Sequence, residues 1–460
     1  MATWTPGQPW PGTVGGATSP HWSPYVRLFV SAAIGSGLGW HMGPHQYDRL
    51  SAGNVMGHVS TSGPLWVDIT CDVLDVTLQG GVDNAEGIFS KPDAATCEVT
   101  IADPDHIYDP LSPAGVFTYG GKSRLVPGTP VRVIAEVVDP ATAAITSCPM
   151  FMGTADSWEQ DWTPTPSARQ TKLIASDVTK QFARMDRAEQ PSQGGGETVQ
   201  QRVQRIVDYF GWTGTVIHPT GGGTRTLAAT TLAQSAWELL QRTLDDELGF
   251  VYFSTSGELR WLKREAWQTI GAPYVTLGCD VGYDVLVDTT PTALDRQMRN
   301  GVYAARTGGT SQQAFSQASI DKYGHYDYNR TDLGLNDDTQ VATWATFVVQ
   351  LYAFPQVTLA DVTMQPRLAA QPWACWRDVL TAKPVTDIVR VHWAPPDHPT
   401  HIIDTTNRIV GTHHAITRGA WEITWQLIAA NVSQSAGAVF HMGPHAQDRL
   451  DSGYVLGFAA

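Results

Sequence analysis

Positive charge is scarce in this chain: 30 Lys and Arg stand against 44 Asp and Glu, and charged residues of either sign make up only 16 % of its 460 positions. The formal balance of −14 excludes a broad grip on a nucleic-acid backbone, which needs a basic surface. Nucleic acid could pass such a chain without being held. Cysteine is scarce too. Cys71, Cys97, Cys148, Cys279 and Cys375 are widely spaced and include no C-x-x-C pair, which argues against a zinc ribbon or a thiol-exchange motif and reads as buried thiols. Long apolar runs are missing. The best candidate, residues 28–38, is short and rich in Gly and Ser, well below the ~18 residues of a membrane helix. The first residues, Met1-Ala-Thr-Trp-Thr-Pro-Gly7, lack the basic start and apolar core of a cleavable signal. The expectation is a chain neither secreted by such a signal nor inserted in a membrane.

What is present is a composition of strands and turns: 42 % hydrophobic residues with 43 Gly and 29 Pro. The first 60 residues hold three charged side chains, Arg27, Asp48 and Arg49, with Trp4, Trp10, Trp22 and Trp40 among Gly, Pro and Ser. Such a segment cannot build a core alone, so it reads as an arm laid on other surfaces, which predicts assembly. From Trp66 the pattern alternates, with Val67, Ile69, Cys71 and Val73 on one face of a strand and Cys97, Val99 and Ile101 on one face of another. Turn signals at Pro104, Pro110, Pro113 and Pro127-Gly128, then alternation through Val131, Val133 and Ala135, complete an antiparallel, barrel-like β domain.

Helical spacing follows. Val199, Val203, Ile206, Val207 and Phe210 form one face and Gly211 caps it; a second helix from about Thr231 carries Leu232, Ala236, Leu239, Leu240 and Leu244 and stops at Gly249. The run from Phe250, the turn ending at Gly257 and the run from Leu259 read as a hairpin under the helices. A third helix starts at Asn336-Asp337-Asp338, with Val341, Trp344, Val348, Leu351 and Tyr352 along one stripe before Pro355. Strands at residues 387–393, 406–412 and 421–427 then predict a second β domain. The organisation is an N-terminal arm (1–63), a first β domain (64–185), an α+β unit (186–290), a second β domain with one helix (291–432) and a C-terminal arm (433–460).

The two arms share a string. His41-Met-Gly-Pro-His-Gln-Tyr-Asp-Arg-Leu-Ser-Ala-Gly-Asn-Val-Met-Gly57 recurs at 441–457 with 11 of 17 positions identical, 400 residues downstream and with unlike sequence between, so it is no solenoid. The Gly-Pro steps favour a fixed turn. His41, Pro44, Leu50 and Val55, with His441, Pro444, Leu450 and Val455, are the candidate docking residues of these repeats. The bland alternative is a duplicated packing segment folded on its own chain.

Catalytic and ligand motifs fail on spacing. The string Gly115-Val-Phe-Thr-Tyr-Gly-Gly-Lys122-Ser123 puts Val116 where a phosphate loop needs glycine, and Arg124-Leu-Val-Pro127 breaks the helix that should follow. His41/His45 and His441/His445 have the four-residue spacing of helical zinc ligands, but Pro44 and Pro444 interrupt the helix. His413 and His414, beside a strand, point to opposite faces. The acids Asp103/Asp105 and Asp245-Asp246-Glu247 define no glycosidase pair, and the second group reads as helix surface. Among the 17 Trp, Trp237, Trp344, Trp421 and Trp425 lie on apolar faces and read as core rather than sugar platforms. No catalytic residue, metal ligand or cofactor site is expected.

The order of elements, with Phe117-Thr-Tyr-Gly-Gly-Lys-Ser-Arg-Leu-Val-Pro-Gly-Thr-Pro-Val-Arg-Val133, Ser319-Ile-Asp-Lys-Tyr-Gly324, Ile409-Val-Gly-Thr-His-His-Ala-Ile416 and the closing Arg449-Leu-Asp-Ser-Gly-Tyr-Val-Leu-Gly457, resembles minor tail proteins of long-tailed actinobacteriophages, of the baseplate-hub or tail-associated type. The resemblance covers about residues 64–430. It implies an α+β, mainly β fold with two tail-tube-like antiparallel β-barrel domains, a helix-containing unit between them and extended arms. It also implies a non-enzymatic homotrimeric ring in the virion, at the distal end of the tail, made in the host cytoplasm. Its partners would be the tail tube, the distal tail, the tape measure and other minor tail proteins, with DNA only as passing cargo. The competing expectations are a tail-tip cell-wall hydrolase and a receptor- or carbohydrate-binding module.

Overall fold

A computed structural model describes residues 25–31 and 66–430 apart from 83–88, 90, 112–116, 120–121, 189, 224, 269–270, 279–281, 295–296, 395–401 and 418. The docking candidates at 41–55 and 441–455, and most of both arms, lie outside these residues.

One large sheet organises the chain. Its order from one edge is Leu286–Leu294, Gln356–Met364, Trp421–Ala429, Ile403–Thr417, Val73–Gly81, Asp93–Ala102, Gln170–Ser176, Ile145–Gln160, Pro130–Val138, Tyr25–Ser31 and Trp66–Asp68. Every neighbour on that path is antiparallel. Ile388–Trp393 branches off against Ile403–Thr417, and Val275–Gly278 joins it in parallel. The fold is mainly β, as its alternation predicts. The two β regions share the sheet: residues 75–81 of Val73–Gly81 in the first pair with residues 411–417 of Ile403–Thr417 in the second.

Alternation decides what each strand buries. In Pro130–Val138 the side chains of Val131, Val133, Ala135 and Val137 go inward, and in Asp93–Ala102 those of Cys97, Val99 and Ile101 do. They share one core with Trp376, Ile423 and Trp425 of the second region. A second core gathers Val203, Leu240, Trp261, Val302 and Trp344. Ile409 and Val410 are both fully buried, yet the first belongs to one core and the second to the other. Neighbours on a strand face opposite ways, so the sheet is the wall between the cores.

The helices begin and end where local chemistry satisfies their free backbone groups. In Val199–Phe210, Thr198 and Gln201 form a reciprocal capping box and Gly211 closes the helix at φ +71°. The second helix is Ala236–Glu247, later than the start expected at about Thr231, because Ser235 and Glu238 form a capping box there. It closes on Leu248 in the left-handed region, one residue before Gly249. The third, Asp338–Tyr352, is capped by Asp337, whose carboxylate accepts from Gln340 N at 2.9 Å. It packs in the second core with the helices upstream, so that core draws on both sides of position 290.

Three local expectations are corrected. The strand read through Val67–Val73 is broken by a 3-10 turn, Thr70–Asp72, because the Asp68 carboxylate accepts from both Thr70 N (3.1 Å) and Thr70 Oγ1 (2.5 Å) and turns the chain. Cys71 consequently lies exposed, while Cys97, Cys148 and Cys375 are buried. The second β region also holds helices beyond the one expected, among them Pro372–Thr381, which begins on proline and covers the sheet with Cys375 and Trp376.

Candidate functional site

The carboxylate groups singled out from the sequence are structural. Asp103 is almost fully buried; its Oδ1 accepts from Ile107 N at 2.6 Å and its Oδ2 from Thr171 Oγ1 at 2.8 Å, so it ties a turn to a strand. Asp105 is exposed. The group Asp245-Asp246-Glu247 is not helix surface: Asp246 and Glu247 are buried. Asp246 accepts from Gly334 N at 3.0 Å and lies 4.0 Å from Arg330 Nη2, while Asp245 pairs with Lys91 at 3.0 Å. These acids fasten the end of the helix Ala236–Glu247 to the segment that follows Asp327–Leu333. Burial pushes the Asp246 carboxyl up to about 7, against the pull of Arg330.

The phosphate-loop-like string forms a two-strand turn, Thr118–Tyr119 against Lys122–Ser123, with Arg124 N donating to Phe117 O at 2.7 Å. No helix follows it before the strand at Pro130. Trp237, Trp344, Trp421 and Trp425 are core residues. Trp162 differs: it is 64 % exposed and stacks on His106 at 4.6 Å. Among the described residues no three His, Cys, Asp or Glu converge as a metal site.

His413 and His414 diverge as the strand period requires, and His414 is the buried one. Trp421 Nε1 donates to its Nδ1 at 3.3 Å. Burial, with a smaller contribution from His413, pushes its pKa down to about 3, so the imidazole is neutral with its proton on Nε2.

His414 lines a cleft of about 310 Å³ at the seam of the two β regions. Its floor is sheet. Leu78 opposes His414 and Gly80 opposes Thr412, so both regions supply it. The facing wall comes from Cys148 and Met152 of Ile145–Gln160 and from Leu380 at the end of Pro372–Thr381. The hairpin of Phe250–Phe253 and Leu259–Leu262 closes one side, with Glu258 accepting from Arg260 Nη2 at 2.7 Å. Asp177 lies in the same lining and caps Val178–Arg184, accepting from Thr179 N at 3.0 Å; burial pushes its carboxyl up to about 7. Burial also pushes the Cys148 thiol up to about 11, so it is protonated at neutral pH. With Nδ1 of His414 taken by Trp421, the cleft offers no thiolate and no free imidazole base. Sequence reasoning missed it because its walls come from segments hundreds of residues apart.

No protein-family model matches the chain, and no curated protein matches it by sequence. Solved structures do. The 43 kDa tail protein of prophage MuSo2 from Shewanella oneidensis superposes with a TM-score of 0.50 at 10 % identity, covering 81 % of this chain and 97 % of that one. The tail protein from Neisseria meningitidis MC58 superposes with a TM-score of 0.51 at 11 % identity, covering 78 % of this chain and 93 % of that one. At these identities the likeness is one of fold. This chain has the fold of phage tail proteins.

Proposed function

We propose that this chain is a structural hub of a phage tail tip, assembled as a homotrimeric ring that joins the tail tube to the distal tip around the path of the DNA. The observation that supports the reading is the fusion of two β regions into one antiparallel sheet, within a fold shared over nearly the full length of two tail proteins. Three chains with two such regions each present six comparable units, which suits a part between a sixfold tube and a threefold tip. A charge of −14 on each chain suits a lumen that repels DNA and lets it slide.

In this reading the partners are the tube, the tape measure and other minor tail proteins of a phage that infects actinobacteria. The arms 1–63 and 433–460 reach them, and the repeats at 41–57 and 441–457 give six copies of one docking peptide per trimer. Mass photometry of the purified chain, alone and with a tail partner, tests the assembly. Monomers and trimers are expected, and a stable dimer or tetramer contradicts the hub. Incubation with actinobacterial peptidoglycan tests the non-enzymatic role, since release of soluble muropeptides would replace it with the hydrolase reading.

A further inference from the structure

Protein interiors are close-packed, and empty spaces larger than a water molecule are few. A cleft of about 310 Å³ at the seam of the two β regions is therefore a feature to explain, and it matches the lower end of small-molecule sites, which run from about 300 to 1,000 Å³. We propose that this cleft binds a small uncharged molecule with an apolar body and one hydrogen-bond-accepting oxygen, held by the Nε2 proton of His414. This inference does not rest on the hub reading.

The lining selects that chemistry. Leu78, Cys148, Met152, Phe253 and Trp425 offer apolar contact. His414 is 7 % exposed, and its one bonded nitrogen, Nδ1, accepts from Trp421, which leaves Nε2–H without an acceptor among the described residues. An acceptor placed on that proton would exchange water for one net hydrogen bond within a largely apolar lining. Gly80, which has no side chain, and the small Thr412 leave the floor open beside it; a β-carbon on Gly80 would lie 3.2 Å from that of Ala95.

Charge is answered within the protein. Glu258 and Arg260 pair with each other, the Asp177 carboxylate is engaged by Thr179, and Asp93 and Lys383 are exposed at the rim. A charged ligand would lose its water without finding a free counter-charge deep in the cleft.

The probe is acetophenone, which has a carbonyl acceptor on an apolar ring; ethylbenzene, the same shape without the oxygen, is the control. Titration of each into the full chain, followed by calorimetry and by the 15N signals of the histidine rings, is expected to show acetophenone about fivefold tighter, the worth of one net hydrogen bond. His414→Phe is expected to abolish the preference, and His414→Gln, which can still accept from Trp421 and donate inward, to retain it. Thr412→Leu, which fills the floor, is expected to weaken both probes and covers the case in which His414→Phe does not fold. Failure of both probes to bind, equal affinity for the two, or binding undisturbed by Thr412→Leu would overturn the proposal.

Discussion

Gly81 passes against Val410 so closely that a β-carbon at 81 would lie 2.2 Å from the Val410 carbonyl oxygen, the atom that accepts from Val82 N at 3.1 Å. Gly81 also has φ +92°, a conformation that side chains disfavour. Both demands fall where the first β region crosses onto the second, at the pair Gly81 and Gly411. Gly411 is crowded too, since a β-carbon there would lie 2.6 Å from the Val82 carbonyl oxygen, so the seam depends on two residues without side chains.

Gly81→Ala is expected to destabilise the chain by more than about 2 kcal/mol, since it adds both a clash and left-handed strain. Urea unfolding of the purified protein measures it. Gly128, also at positive φ (+90°) but with nothing within 4 Å of a built β-carbon, separates the two causes. Gly128→Ala should cost only the conformational part, about 1 kcal/mol. Equal losses at the two positions would show that the contact with Val410 is unimportant.

Asp177 and Asp246 carry carboxyls pushed up to about 7 by burial from an ordinary value of 3.8. The folded state then holds protons that the unfolded chain has released, so these groups make stability fall as pH rises from about 4 to about 7. Asp177→Asn and Asp246→Asn keep an oxygen for Thr179 N and Gly334 N and should flatten that slope. Urea midpoints at pH 4.5 and 7.5 for the parent and both variants provide the comparison, and parallel slopes would contradict the burial account.

Ala143, exposed in the turn between Pro130–Val138 and Ile145–Gln160, sits at φ +56°. Glycine tolerates this conformation and alanine does not, so Ala143→Gly should stabilise by about 0.5–1 kcal/mol. A thermal midpoint that drops instead would show that the turn owes more to the stiffness of the unfolded chain.

Cys71 is the exposed thiol among the four described, whereas Cys97, Cys148 and Cys375 are buried. In a Cys279→Ser background, a thiol-reactive dye should label one equivalent quickly and the rest only after unfolding, and Cys71→Ser should remove the fast phase. Asp68 and Asp72 add to burial in raising the pKa of Cys71, so its labelling should quicken with rising pH.

Local patterns were legible from the residues alone. The faces of Pro130–Val138 and Asp93–Ala102, the glycine cap of Val199–Phe210 and the hairpin after Gly249 all follow from period, caps and turn residues acting over a few positions. The strand expected through Cys71 failed because Asp68 offers Thr70 a competing side-chain hydrogen bond, which hydrophobic alternation does not register. Asp246 and Glu247 read as surface because charge normally seeks water; their burial depends on groups such as Gly334 N and Arg330 that lie far along the chain. Period also sent His413 and His414 to opposite faces. It could not say that Trp421 would take Nδ1 of His414, or that His414 would line a cleft. Those facts belong to the tertiary structure, because Leu78 and His414 become neighbours only when two strands more than 300 residues apart pair across the seam.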